Sequence, residues 1–167
     1  FIPAGFPPGV VNVVTGFGQE VGEPLVLHPD VAHVGFTGGG AAGRKIYGLA
    51  ARGLKTVTLE LGGKSPNIVF DDADMEQAVK GVVSGVFAAT GQTCMAGSRL
   101  LVQRNIQDEF VQKLVDFVGN AKMGNPALME TQIGPVATRP QFERVIACIE
   151  AAKAEGATCI LGGKARP

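Results

Sequence analysis

Charge of either sign is missing as an excess from this 167-residue chain, because fifteen Lys and Arg balance fifteen Asp and Glu. A neutral chain with no basic stripe is a poor ligand for nucleic acid, so no nucleic-acid partner is expected. Long hydrophobic runs are missing too. Gly, Ser, Lys or Glu interrupts every apolar stretch before it reaches the ~18 residues of a membrane span, so no membrane partner is expected. Cysteine is scarce: three residues, an odd number without metal-ligand spacing, which excludes a sequence-legible metal site and fits a reduced, cytoplasmic protein. The two histidines, His28 and His33, have no triad company in sequence and read as structural. What is present is apolar enough to fold: 46% hydrophobic and 18% charged residues exclude disorder. No signal peptide is evident. The opening Phe1-Ile2-Pro3-Ala4-Gly5 resembles the middle of a helix-to-strand connection, so the chain reads as an excerpt.

Strand-like and helix-like segments alternate along the chain. Strands are expected at Val10–Val14, Val31–Phe36, Lys55–Leu61, Asn67–Phe70, Leu100–Gln103 and Thr158–Leu161. Helices are expected at Gln19–Leu27, from the glycine loop Thr37–Gly43 to about Ala51, from Asp74 to Ala89, and over Ile106–Ala121 and Gln141–Ala154. Asp74-Met75-Glu76-Gln77 resembles a capping box. This alternation predicts an α/β fold with mostly parallel strand pairing. There is no internal repeat, low-complexity tract or composition shift to mark a linker.

Two segments carry most of the chemistry: Leu59-Glu60-Leu61-Gly62-Gly63-Lys64-Ser65-Pro66 and Gly91-Gln92-Thr93-Cys94. The first puts a carboxylate at the end of a strand, followed by two glycines that permit close backbone approach and positive φ. The second puts a thiol in a turn of small and polar residues after an apolar helix. A thiol nucleophile and a carboxylate base suffice for covalent catalysis with activated water. A third segment, Gly38-Gly39-Gly40-Ala41-Ala42-Gly43, matches the dinucleotide-binding pattern G-x-G-x-x-G. Glycine is so frequent here, 24 of 167 residues, that about half a match per chain arises by chance. The strand before it and the helix after it give it weight. Read as a plain dinucleotide fold, it would make Glu60 the acid that holds a ribose hydroxyl.

The two signature segments resemble those of the aldehyde dehydrogenase family, and the resemblance extends through Gly35-Phe36-Thr37-Gly38, Gly124-Asn125-Pro126 and Gly134-Pro135-Val136. It implies that Cys94 is the catalytic nucleophile and Glu60 the general base. Phe36, Thr37, Gly38, Gly39, Leu61 and Gly62 are then cofactor-binding positions for NAD or NADP, with the pyrophosphate at a helix N-terminus. The family usually has a hydroxyl residue after the glycine at 38. Here Gly39 stands there, leaving backbone N–H groups as donors. The Gly-Gly-Lys-Ser-Pro run that follows Glu60 favours the base over the ribose ligand, which needs no such sequel. The resemblance also implies a partial three-layer, parallel-sheet architecture. Residues 1–62 would end a Rossmann-like nicotinamide-cofactor domain, and residues 63–167 would begin the catalytic domain.

The implied reaction oxidises a small-molecule aldehyde to a carboxylic acid. A thiol of ordinary pKa, about 8.5, must ionise to attack, so Cys94 needs an electropositive or dipolar setting. Its adduct carries an oxyanion that the Cys94 backbone N–H helps to hold, and Glu60 later activates water against the thioester. The family's side-chain oxyanion donor and ribose acids fall outside residues 1–167, so this piece alone is expected to be inactive. Family members are usually homodimers or homotetramers. Coenzyme-A-acylating relatives form the same thioester without needing Glu60, and a non-catalytic binding or structural member of the fold is a further alternative.

Other residues have plainer readings. Cys148, on an apolar helical face, and Cys159, in an apolar strand, are expected to be core. Asp71, Asp72 and Asp74 precede a helix and read as caps rather than metal ligands. Lys64 is either a surface charge or a cofactor-side support, and Arg99 is a candidate to orient the turn after Cys94.

Overall fold

In the computed structural model, which describes residues 4–165, the helices and strands fall into two units, Phe1–Gly62 and Gly63–Pro167. In the first, a π-helical turn Gly18–Gly22 runs into α1 (Glu23–Leu27), then β1 (His33–Gly38), α2 (Gly40–Ala51) and β2 (Thr56–Leu61). His28-Pro29 ends α1 because the residue before proline is pushed into extended conformation, here ψ 130° at His28. β1 and β2 pair in parallel, Thr37 opposite Glu60 and Gly38 opposite Leu61. Side chains alternate across the strands, exposed then half-buried. The covered face presents Val34 and Val57 to Val26 of α1 and to Ile46, Leu49 and Ala50 of α2. His33 lies on the other face and joins Thr56 Oγ1 at 2.8 Å and Thr58 Oγ1 at 3.4 Å, a cross-strand role in keeping with the sequence reading.

The second unit is a β-α-β crossover followed by helices. β3 (Pro66–Val69) pairs in parallel with β4 (Arg99–Val102), and α3 (Met75–Phe87) connects them. Asp74 caps α3 as expected, its carboxylate accepting from Gln77 N at 2.9 Å. Asp71 accepts from Asn105 Nδ2 at 2.8 Å, which ties the segment before α3 to the segment after β4. α4 (Gln107–Gly119) lays Phe110, with no exposed surface, against Val69, Val79 and Val82, with Leu100, Val102, Ile106 and Leu114 around them. α5 (Arg139–Ala154) starts at the Thr138 cap and has no buried residue.

Several expectations change. Val10–Val14 forms no strand; all five residues are exposed, with no neighbouring strand among the described residues to take their backbone bonds. Thr158–Leu161 is likewise irregular. Cys148 and Cys159 are exposed rather than core, because α5 presents no buried face and the strand expected around Cys159 does not form. The glycine loop is shorter than expected, since Gly40 already begins α2. Gly62 and Gly63 do not adopt positive φ. The start of the chain at Phe1-Ile2-Pro3 lies outside the described residues.

Candidate functional site

The sequence places its candidate residues in both units, and each unit builds its own part. In the first, the β1–α2 turn is shaped by what glycine omits. A methyl group at Gly38 would stand 2.6 Å from the Phe36 ring, so the missing side chain lets Phe36 fold back over its own strand. At Gly43 a methyl would meet Leu61 Cδ2 at 2.7 Å, so α2 packs against the end of β2 through that glycine. Gly39, between them, has open space where a side chain would be. Gly39 caps α2 without any side-chain bond, and the first turn of the helix contains no acid. The N–H groups of Gly40, Ala41 and Ala42 therefore keep their positive character, a setting that fits an anionic phosphate. Beside this turn lies a cleft of about 880 Å³, whose lining includes Phe17, Val26, Val34, Ala42, Ile46 and Leu49. Lys45 and Glu23, bonded to each other, also line it. A mainly apolar cleft next to a free helix N-terminus fits a dinucleotide, whose planar bases are apolar and whose linker is anionic.

Thr37 and Glu60 are brought side by side by the β1–β2 register, at the strand ends where α/β sheets bind ligands. Glu60 is exposed and has no side-chain hydrogen bond or ion pair among the described residues. It points from the strand face opposite the one α2 covers, alternating with half-buried Leu59 and Leu61. Such a carboxylate is free to turn toward water or a ligand. Gly62 closes this unit, also with open space where a side chain would be.

In the second unit, Cys94 is exposed in a turn between α3 and β4. Among the described residues its N–H donates to no backbone or side-chain acceptor, which leaves it available to an oxyanion. The exit of the turn is fastened at two residues by three hydrogen bonds. Gly97 N donates to Gly85 O of α3 at 3.1 Å, and Arg99 donates to Ser65 O at 3.2 Å from its N–H and to Lys64 O at 2.8 Å from Nε. Arg99 thus holds the start of β4 to the Gly63–Ser65 segment. A methyl on Gly63 would stand 4.0 Å from the Cys94 carbonyl oxygen, so the two backbones run close. The Lys64 side chain donates from Nζ to its neighbour's Gly63 O at 3.0 Å.

Three features of this turn were not legible in the sequence. Asn67 of β3 fills a gap left by two glycines: methyl groups at Gly85 and Gly97 would stand 3.6 Å and 3.2 Å from its Nδ2. Ala89, Thr90 and Gly91 all have positive φ, 49°, 59° and 71°. Two of the three are not glycine, and Thr is β-branched, so the conformation is strained. Gln92 Oε1 accepts from the backbone N–H of Ala137 at 3.1 Å, across 45 residues. The sequence signals were a Gly near the end of a helical run, Gly85, and an amide two residues before a thiol, Gln92.

The model of the aldehyde dehydrogenase family matches residues 1–167, and the chain belongs to that family. It is 49% identical over 161 residues to an Acinetobacter baylyi dehydrogenase of a hydroxybutyrolactone, covering 96% of this chain and 33% of that protein. It is 48% identical over 159 residues to the chloroplastic betaine aldehyde dehydrogenase of Beta vulgaris, covering 95% and 32%. The betaine aldehyde dehydrogenase of Staphylococcus aureus, solved in complex with NAD+, superposes with a TM-score of 0.95 at 45% identity, covering 99% of this chain and 33% of that one. The α/β fold with parallel pairing is therefore that of part of an aldehyde dehydrogenase. The chain spans about a third of the length of these relatives.

No group of three or more His, Cys, Asp or Glu among the described residues is arranged to hold a metal ion. None of their helices is long and apolar enough to cross a membrane.

Proposed function

We propose that this chain carries the nucleophile and the water-activating base of an NAD(P)-dependent aldehyde dehydrogenase that oxidises a small aldehyde to its carboxylic acid. The observation that carries this reading is Cys94: an exposed thiol on a fastened turn, beside its own unbonded N–H, in a chain of this family. The Cys94 thiolate forms a C–S bond to the aldehyde carbon, and the carbonyl π electrons move onto oxygen, toward the Cys94 N–H. When bound, the oxidised nicotinamide supplies an acceptor for the aldehyde hydrogen and its electron pair. The acyl group then remains on Cys94 as a thioester. Glu60 takes a proton from water, the water oxygen attacks the acyl carbon, and Cys94 leaves as thiolate.

For the cofactor, Gly38, Gly39 and the first turn of α2 hold the phosphates, while Phe36, Thr37, Leu61 and Gly62 shape the surrounding surface. The NAD+ complex of the Staphylococcus aureus relative supports a nicotinamide cofactor for this reading. The proposal extends to a homodimer or homotetramer in a reducing compartment such as the cytoplasm, where three free thiols are stable. By the family resemblance, the side-chain oxyanion donor and ribose acids fall outside residues 1–167, so this piece by itself is expected not to turn over.

The decisive variant is Glu60→Gln in the whole protein, mixed with oxidised cofactor and a simple aldehyde. A single stoichiometric burst of reduced cofactor followed by a stall is expected, because hydride leaves before water is needed. Sustained turnover with weakened cofactor binding would return Glu60 to the ribose and overturn the assignment.

A further inference from the structure

We infer that Gln92 is a positioning residue for Cys94, acting as a side-chain clamp that holds the strained entry to the nucleophile turn. The inference rests on Cys94 being the nucleophile. The chain leaves α3 at Phe87 and passes through three successive left-handed residues, Ala89, Thr90 and Gly91, before reaching Gln92 and the thiol. A conformation that side chains disfavour persists only where its surroundings fix it. Within the turn, Gln92 N donates to Ala89 O at 3.1 Å, which closes the left-handed stretch on itself. Beyond the turn, the side chain of Gln92 provides the anchor, accepting from Ala137 N–H at 3.1 Å.

What Gln92 holds on to is itself well tied. The segment before α5 is a closed loop: Gly124 N donates to Ile133 O at 3.1 Å, and Gln132 N and Ile133 N both donate to Lys122 O, at 2.9 and 3.1 Å. Lys122 N donates to Gln132 Oε1 at 2.9 Å, and Thr131 Oγ1 to Asn125 O at 2.7 Å. Asn125 Oδ1 accepts from Ala127 N at 3.0 Å, an Asx turn made by the Gly124-Asn125-Pro126 motif. Gly134 comes within reach of the strained turn, since a methyl there would stand 4.0 Å from Thr90 Oγ1. The exit of the turn is fastened to α3 and to the Gly63–Ser65 segment, so Gln92 completes the support on the entry side. This gives the Lys122–Ala137 region a function: it is the anchor against which the thiol is aimed. Reaction rates are sensitive to nucleophile placement on the ångström scale, so losing the clamp should show in chemistry before it shows in binding.

The test compares Gln92→Met, which keeps length and removes the acceptor, with Gln92→Glu, which keeps an acceptor oxygen, in the whole protein. Three quantities are read for each: the pre-steady-state burst of reduced cofactor, the rate of Cys94 alkylation by iodoacetamide, and the dissociation constant of oxidised cofactor. Gln92→Met is expected to slow burst and alkylation about tenfold, the scale of one hydrogen bond, with cofactor affinity unchanged. Gln92→Glu is expected to recover most of the burst. A thermal melt on each variant separates misplacement from unfolding. Equal losses in Met and Glu variants, or a native burst in Gln92→Met, would overturn the inference. Cys94→Ser is the control for the reading beneath it: if that variant keeps its burst, the nucleophile assignment fails, whereas an inactive Cys94→Ser beside a native Gln92→Met overturns the clamp alone.

Discussion

The two turns that carry the candidate chemistry solve opposite problems. The β1–α2 turn is rich in glycine, yet none of Gly38, Gly39 or Gly40 has positive φ. Glycine works there as missing volume, leaving room for Phe36, for Leu61 and for whatever sits over Gly39. The α3–β4 turn needs left-handed backbone at three successive positions, and Ala89 and Thr90 supply two of them. The glycine turn is thus made open at little conformational cost, while the Cys94 turn is held by neighbours in a shape its sequence resists. Openness lets a large ligand approach backbone N–H groups, and restraint keeps a single sulfur atom in place.

That contrast can be broken from either side, and the core of the unit that carries the Cys94 turn gives the largest effect. Phe110→Ala removes the side chain that fills the space between α3, α4 and the β3–β4 pair, and should cost ~3–5 kcal/mol in chemical denaturation. An unchanged midpoint would mean that α4 does not anchor this unit. Next comes Gly43→Val, which puts side-chain volume where α2 meets Leu61 and should cost ~1–3 kcal/mol while weakening cofactor binding. Adding Leu61→Ala should restore part of that loss; simple additivity in the double variant would show that the two positions do not share a contact. The smallest change should have the opposite sign. Ala89→Gly relieves a left-handed alanine and should raise stability by about 0.5–1 kcal/mol, with a slower Cys94 alkylation rate as the turn loosens. Lower stability in that variant would place the restraint elsewhere.

Much of the first turn was legible from local pattern. The Val31–Phe36 and Lys55–Leu61 strands lie within two residues of β1 and β2, and the glycine run between them marked both the turn and the start of α2. Asp74 and Gln77 stated the start of α3 in four residues, and the structure makes that bond. Val10–Val14 misled for a physical reason: β-branched residues favour a strand, but a strand also needs a neighbour. Cys148 misled because apolar spacing says which residues share a helix face, while burial requires something to cover that face, and α5 has nothing buried.

Local sequence therefore determined which residues could do chemistry and on which kind of element each sits. The thiol after a helix, the carboxylate ending a strand and the glycine turn opening a helix follow from short-range preferences of the backbone. Tertiary structure alone decided how the Cys94 turn is held. Gln92 meets Ala137 across 45 residues, Asn67 fills the gap between Gly85 and Gly97, and Ala89 and Thr90 take a conformation that their own side chains disfavour. Each of these depends on partners far away along the chain, where no local preference reaches.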